Sequence, residues 1–132
     1  MLFQSEAHRK FYEEKILQLH ADVYLRALIY TVGICPDTRK RWECFYNETE
    51  HEIKPEVISR GWQTGTSVKL TRLAFQLFTD STPTAYGYNE HYCETRDFDE
   101  CQRYSISDIF CCEYAPFFMQ AVKLRYSEYF IP

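Results

Sequence analysis

Apolar side chains recur at intervals of three and four along most of this chain, the spacing that gathers them on one face of an α-helix. Phe11, Tyr12, Ile16 and Leu19 form the first stripe, with charges between them and Ser5 ahead as a cap, and predict a helix over roughly 6–20. Asp22 caps a second, which carries Val23, Ala27, Leu28 and Val32, is widened by Leu25 and Ile29, and stops at Gly33. That helix is apolar over much of its girth, so it belongs at the centre of the fold. Cys35-Pro36-Asp37 then makes a sharp joint, because the residue before a proline avoids helical backbone. Asp37 can cap a third helix, which would carry Trp42, Phe45 and Tyr46.

Between 47 and 66 the pattern loosens, with a short helical turn opened by Pro55 and ended by Gly61. Gly61-Trp62-Gln63-Thr64-Gly65-Thr66-Ser67 lacks the lysine and glycine spacing of a phosphate loop and reads as a tight turn, with Trp62 anchored in the core and Thr66 as a cap. A fourth helix over roughly 67–78 comes next, with Leu70, Leu73, Ala74, Leu77 and Phe78 at helical spacing. Segment 79–104 has no helical period, and a connection that long is functional, disordered or held by something. Ser105 opens a capping sequence for a last helix with Ile109, Phe110 and Cys112, expected to break at Pro116 before Phe117, Phe118, Ala121, Val122 and Leu124. Few stretches alternate with period two. The expected fold is therefore all-α: one compact domain over 1–132, of five or six helices and a long acidic, cysteine-containing loop.

A chain of 132 residues can bury a core without covalent staples, so its six cysteines are not required for stability. The first ten residues pass from Leu2 and Phe3 straight into charge, with no apolar leader, and no apolar run is long enough to span a membrane. These features point to the cytosol. There thiols stay reduced, and clustered cysteines more often hold metal than form disulfides.

Formal charge is -4, which argues against general nucleic-acid binding. Acids gather in the long loop, at Glu90, Glu94, Asp97, Asp99 and Glu100, and in a second run at Glu48, Glu50, Glu52 and Glu56. The chain is also rich in aromatics, with 11 Tyr and 10 Phe. Tyrosine suits surfaces that meet a partner, because its ring buries while its hydroxyl stays wet, although an aromatic-packed core accounts for the same composition.

The densest chemistry is His91-x-Cys93, then Cys101, then Cys111-Cys112. Zn²⁺ takes four ligands in a tetrahedron, and thiolate with imidazole is its commonest structural set. His91, Cys93, Cys101 and Cys112 are the expected ligands of a structural zinc, with Cys111, Cys35 and His8 as alternates. No C-x2-C pair supports the site, and two other readings stand beside it: Cys111 and Cys112 as small core residues, and a Cys93–Cys101 disulfide. No thiol can be assigned as a nucleophile from spacing alone. An open zinc position with Glu94 or Glu113 as base would instead make a metalloenzyme.

The strings GIC at 33–35, GWQTGTS at 61–67, LTRLAF at 70–75, FCCEYAPFF at 110–118 and KLRYSEYF at 123–130 resemble a family of small uncharacterised proteins from Firmicutes and their phages and prophages. The likeness spans most of the chain and transfers no catalytic residues. Small acidic phage proteins of such hosts include anti-CRISPR inhibitors of type II-A Cas9. The resemblance thus implies a non-enzymatic inhibitor that binds Cas9 and blocks nucleic-acid loading or cleavage; a regulatory module with another protein partner is the rival. The Cys93–Cys101 loop lies outside these strings.

Overall fold

The computed structural model describes residues 1–130. Its elements in chain order are α1 (Glu6–Gln18), α2 (Val23–Gly33), α3 (Pro36–Arg39), α4 (Trp42–Phe45), β1 (Tyr46–Asn47), β2 (Glu52–Ile53), α5 (Gly65–Thr79), β3 (Tyr86–Tyr88), β4 (Glu94–Arg96), α6 (Phe98–Gln102), α7 (Ile106–Ile109) and α8 (Ala115–Arg125). Short 3₁₀ turns lie at Pro55–Ser59, Pro83–Ala85 and Ser127–Tyr129.

Helix α2 is the centre, as its all-round apolar girth requires. Ala27, Leu28, Ile29, Tyr30 and Val32 are wholly buried, and α1, α5 and α8 pack round the helix. Contact with α1 is close because Gly33 has no side chain: a Cβ there would stand 2.8 Å from the His8 ring and from Phe11. Aromatics fill the opposite side, with Phe45 edge-on to Phe75 at 6.1 Å and 6.0 Å from Trp62. Trp62 packs against the core under the Arg41 guanidinium, 4.6 Å from its ring.

The caps explain where the long helices begin. Ser5 Oγ accepts from the His8 amide at 3.1 Å, and Asp22 Oδ1 from the Leu25 amide at 2.9 Å. Helix α5 starts two residues earlier than its expected cap at Thr66. Thr64 and Ser67 form a reciprocal capping box that satisfies two otherwise orphaned donors, which Thr66 cannot do from inside the first turn. At its other end Asp80 turns the chain in the left-handed region (φ 54). Its carboxylate accepts from Arg125 at 2.7 Å and from the Tyr126 hydroxyl at 3.0 Å.

Three expectations are corrected. The fold is helix-rich but not purely α, since β1 pairs with β2 and β3 with β4 in two small antiparallel hairpins; and the described residues form eight helices rather than five or six. The third helix divides into α3 and α4, and Tyr46 leaves it for strand β1. The last helix does not run from Ile109 and break at Pro116. α7 is a separate turn, and Pro116 sits in the first turn of α8, where its missing N–H would have had no partner anyway. No helix among the described residues is long and apolar enough to cross a membrane.

Candidate interaction surface

The segment expected to be irregular is built as a hairpin on a buried footing. Tyr86 pairs with Arg96, Gly87 with Thr95 and Tyr88 with Glu94. Asn89 makes the turn: its side-chain oxygen accepts from the amides of His91 at 2.9 Å and Cys93 at 3.0 Å, while its own N–H donates to the Cys93 carbonyl at 3.0 Å. This clasp holds Tyr92 at φ 59.

The footing is a polar network under the hairpin. Glu100 accepts two bonds from the Arg72 guanidinium of α5, at 2.8 and 3.0 Å, and a third from the Thr84 hydroxyl at 2.6 Å. Thr84 also meets the Tyr104 hydroxyl at 2.6 Å. The Arg72 and Glu100 side chains are only 11% and 17% exposed, so this pair carries more weight than a surface ion pair. The Asp97 amide donates to the Ala85 carbonyl at 2.8 Å, and the Asp97 carboxylate caps α6 through the Glu100 amide at 3.1 Å.

Above this footing every residue from 88 to 99 is exposed. Glu90, Glu94 and Asp99 stand free of the footing, whereas Glu100, expected among the contact acids, is spent on Arg72. Sequence reasoning missed the aromatics between them. Tyr88 is 76% exposed, Tyr92 89% and Phe98 73%. The alternation of Tyr86-Gly87-Tyr88 and Glu94-Thr95-Arg96 about Asn89 is the signal that could have revealed the hairpin. Of the second acidic run, Glu48 lies 3.6 Å from Lys15 in the turn between β1 and β2.

The proposed zinc ligands are not brought together. His91 and Cys93 sit in the exposed hairpin turn, whereas Cys101 lies at the base, where its sulfur meets Arg96 Nε at 3.3 Å and the Thr82 hydroxyl at 3.6 Å. Three residue pairs of sheet separate turn from base, about 10 Å. Cys112 is half-buried against the core, its thiol 3.8 Å from the Ile109 carbonyl; Cys111 is exposed, and Cys35 is half-buried at the start of α3. All six cysteines are free thiols, so Cys93 and Cys101 are not bridged. Among the described residues no three His, Cys, Asp or Glu side chains meet as a metal-holding set. His8 is committed elsewhere: its Nε2 donates to the Tyr30 carbonyl at 2.8 Å, and its Nδ1 accepts from the Gln4 amide at 3.1 Å. The Cys101 thiol is drawn toward thiolate, first by the Thr82 hydrogen bond and then by Arg96.

Away from the hairpin, a trough of about 400 Å³ runs between α5 and α8, with Leu73 and Leu77 on one wall and Met119 and Val122 on the other. Ile106, 78% exposed, stands at its edge.

Fold and surface together define a small helical domain that presents an acidic, aromatic-tipped hairpin on a rigid footing. The chain matches the model of a family of unknown function, DUF6075, over residues 1–131, and it belongs to that family. No curated protein and no solved structure matches it.

Proposed function

We propose that this chain is a non-enzymatic inhibitor that docks its acidic hairpin on a basic surface of a protein partner, and that the partner is a Cas9 nuclease. The observation that carries the docking reading is the exposure of Tyr88, Tyr92 and Phe98 among Glu90, Glu94 and Asp99, on a hairpin whose base is tied down by Arg72 and Glu100. Large aromatics held in water forgo the stabilisation of burial, and a protein interface recovers it. The carboxylates steer encounter with a positive surface and keep the turn soluble when alone. Rigid anchoring matters because a loose loop would lose ordering entropy on binding.

Cas9 enters through the resemblance of the sequence strings to phage and prophage proteins. Its guide heteroduplex lies in a positively charged channel, the kind of surface this hairpin complements. Occupation of that channel would block nucleic-acid loading without chemistry. Metal takes no part in this reading.

The test is complex formation between the purified chain and a type II-A Cas9, with and without guide RNA, followed by DNA cleavage at excess chain. A complex that suppresses cleavage is expected. Joint neutralisation of Glu90, Glu94 and Asp99 should slow association and flatten its salt dependence, whereas Tyr92→Ala should speed dissociation. Full cleavage with no complex refutes the choice of partner. A complex indifferent to every hairpin substitution refutes the docking surface.

A further inference from the structure

The register of the hairpin places Tyr86, Tyr88, Glu94 and Arg96 on one face, because directly paired residues, and residues two apart on one strand, point the same way. Gly87 and Thr95 take the other face, and a Cβ at Gly87 would touch the Thr95 hydroxyl at 3.6 Å. The first face already holds one guanidinium: Arg96 lies over the Tyr86 ring at 5.4 Å and donates to the Cys101 sulfur. One pair further toward the turn, the same positions carry an exposed ring, Tyr88, directly opposite an exposed carboxylate, Glu94. This second pair has the acceptor and the aromatic plate that a guanidinium uses, and among the described residues no guanidinium bonds to it, Arg96 feeling the Glu94 charge only from a distance while it bonds to Cys101.

We infer that Tyr88 and Glu94 form a recognition pair for an arginine side chain of the partner, deepening the docking reading, on which it rests. The guanidinium stacks flat on the Tyr88 ring and directs N–H bonds at the Glu94 carboxylate, extending by one position the stack that Arg96 begins. Charge complementarity selects a cation, since Glu90 and Asp99 add negative potential to the same exposed segment. Shape then selects arginine over lysine. A planar guanidinium can stack and bond in the fork geometry together, whereas an ammonium is a compact, strongly hydrated point charge.

The experiment is NMR titration of the full chain with N-acetyl-arginine methylamide and, separately, its lysine counterpart. The arginine probe should shift the Tyr88 ring and the backbone from 87 to 95, with lysine at least about threefold weaker. Tyr88→Phe should keep binding, and Tyr88→Leu and Glu94→Gln should each reduce it about threefold, with the Gly87 and Thr95 amide signals confirming an intact hairpin. Equal response to the two probes, or shifts confined to other acids, overturns the inference. Its failure is separable from that of the docking reading. A Cas9 complex that tolerates Tyr88→Leu and Glu94→Gln leaves the docking intact and removes the arginine pair, whereas arginine-selective shifts without a Cas9 complex uphold the pair and remove that partner.

Discussion

Acid should destabilise this protein through one buried histidine before its carboxylates matter. His8 is wholly buried in the contact between α1 and α2, and burial, with a smaller push from Arg39, lowers its pKa from 6.5 to about 4. The hydrogen bonds explain why the proton is unwelcome. The bond from Nε2 to the Tyr30 carbonyl favours the charged ring and offsets part of the burial, but a proton on Nδ1 would face the Gln4 N–H, turning an acceptor into a second donor against a donor. Above pH 6.5 the imidazole is neutral in both folded and unfolded chains, and the stability is fully present. As pH falls from 6.5 towards 4, only the unfolded chain takes up the proton, so stability drains away across that window and levels off below it. At 1.36 kcal/mol per unit, the loss reaches about 3 kcal/mol in the limit, with about 2 kcal/mol gone by pH 5. Urea unfolding at pH 7.5 and pH 5 measures it. His8→Gln should start less stable at pH 7.5 and lose far less over the same interval. A wild-type midpoint that does not move, or an NMR titration placing the His8 pKa at its ordinary value, would refute the reasoning.

Other expectations concern packing, the footing, the thiols and metal. Gly33→Ala should destabilise by about 1–3 kcal/mol in denaturant unfolding, because crowding of His8 and Phe11 outweighs the better helix propensity of alanine; a more stable variant would refute that close approach. Glu100→Gln should cost about 1–3 kcal/mol and speed amide exchange in β3 and β4, since the Arg72 charge stays in place with weaker partners. At mildly alkaline pH, iodoacetamide should alkylate Cys101 faster than Cys35 and Cys112, which like it are half-buried, read by peptide mass spectrometry, and Arg96→Gln should slow it. Chelator should leave the melting temperature unchanged, because His91, Cys93, Cys101 and Cys112 stand apart; a zinc-dependent rise abolished by Cys93→Ser would reverse that view.

The helices that bury a stripe were legible, because burial imposes a period. α1, α2 and α5 follow the spacing of Tyr12, Leu28 and Leu73 and their neighbours, and the caps Ser5, Asp22 and Ser105 act where their residue types suggest. Elements that bury little were not. Strands of two and three residues leave no run long enough to show alternation, so Tyr46 and Tyr88 looked like helix and loop. The acids of 90–99 were readable as an exposed face, but the fate of Glu100 was not. Its partner Arg72 lies far back in the chain, on a helix whose spacing speaks only of its apolar side. The thiol cluster shows a similar limit: His91, Cys93 and Cys101 are near along the chain, and the hairpin sets the first two at its turn and the third at its base.

The central position of α2 also bears on how the chain acquires its shape. Its companions α5, at mid-chain, and α8, from Ala115, are distant in sequence, and contacts of long separation close slowly, because the intervening chain must first be gathered. During synthesis α1 and α2 are made before the α5 and α8 that cover α2. A helix buried throughout residues 27–33 then waits for α8. Until α8 is made, part of the apolar surface of α2 is open to chaperones and to other nascent chains.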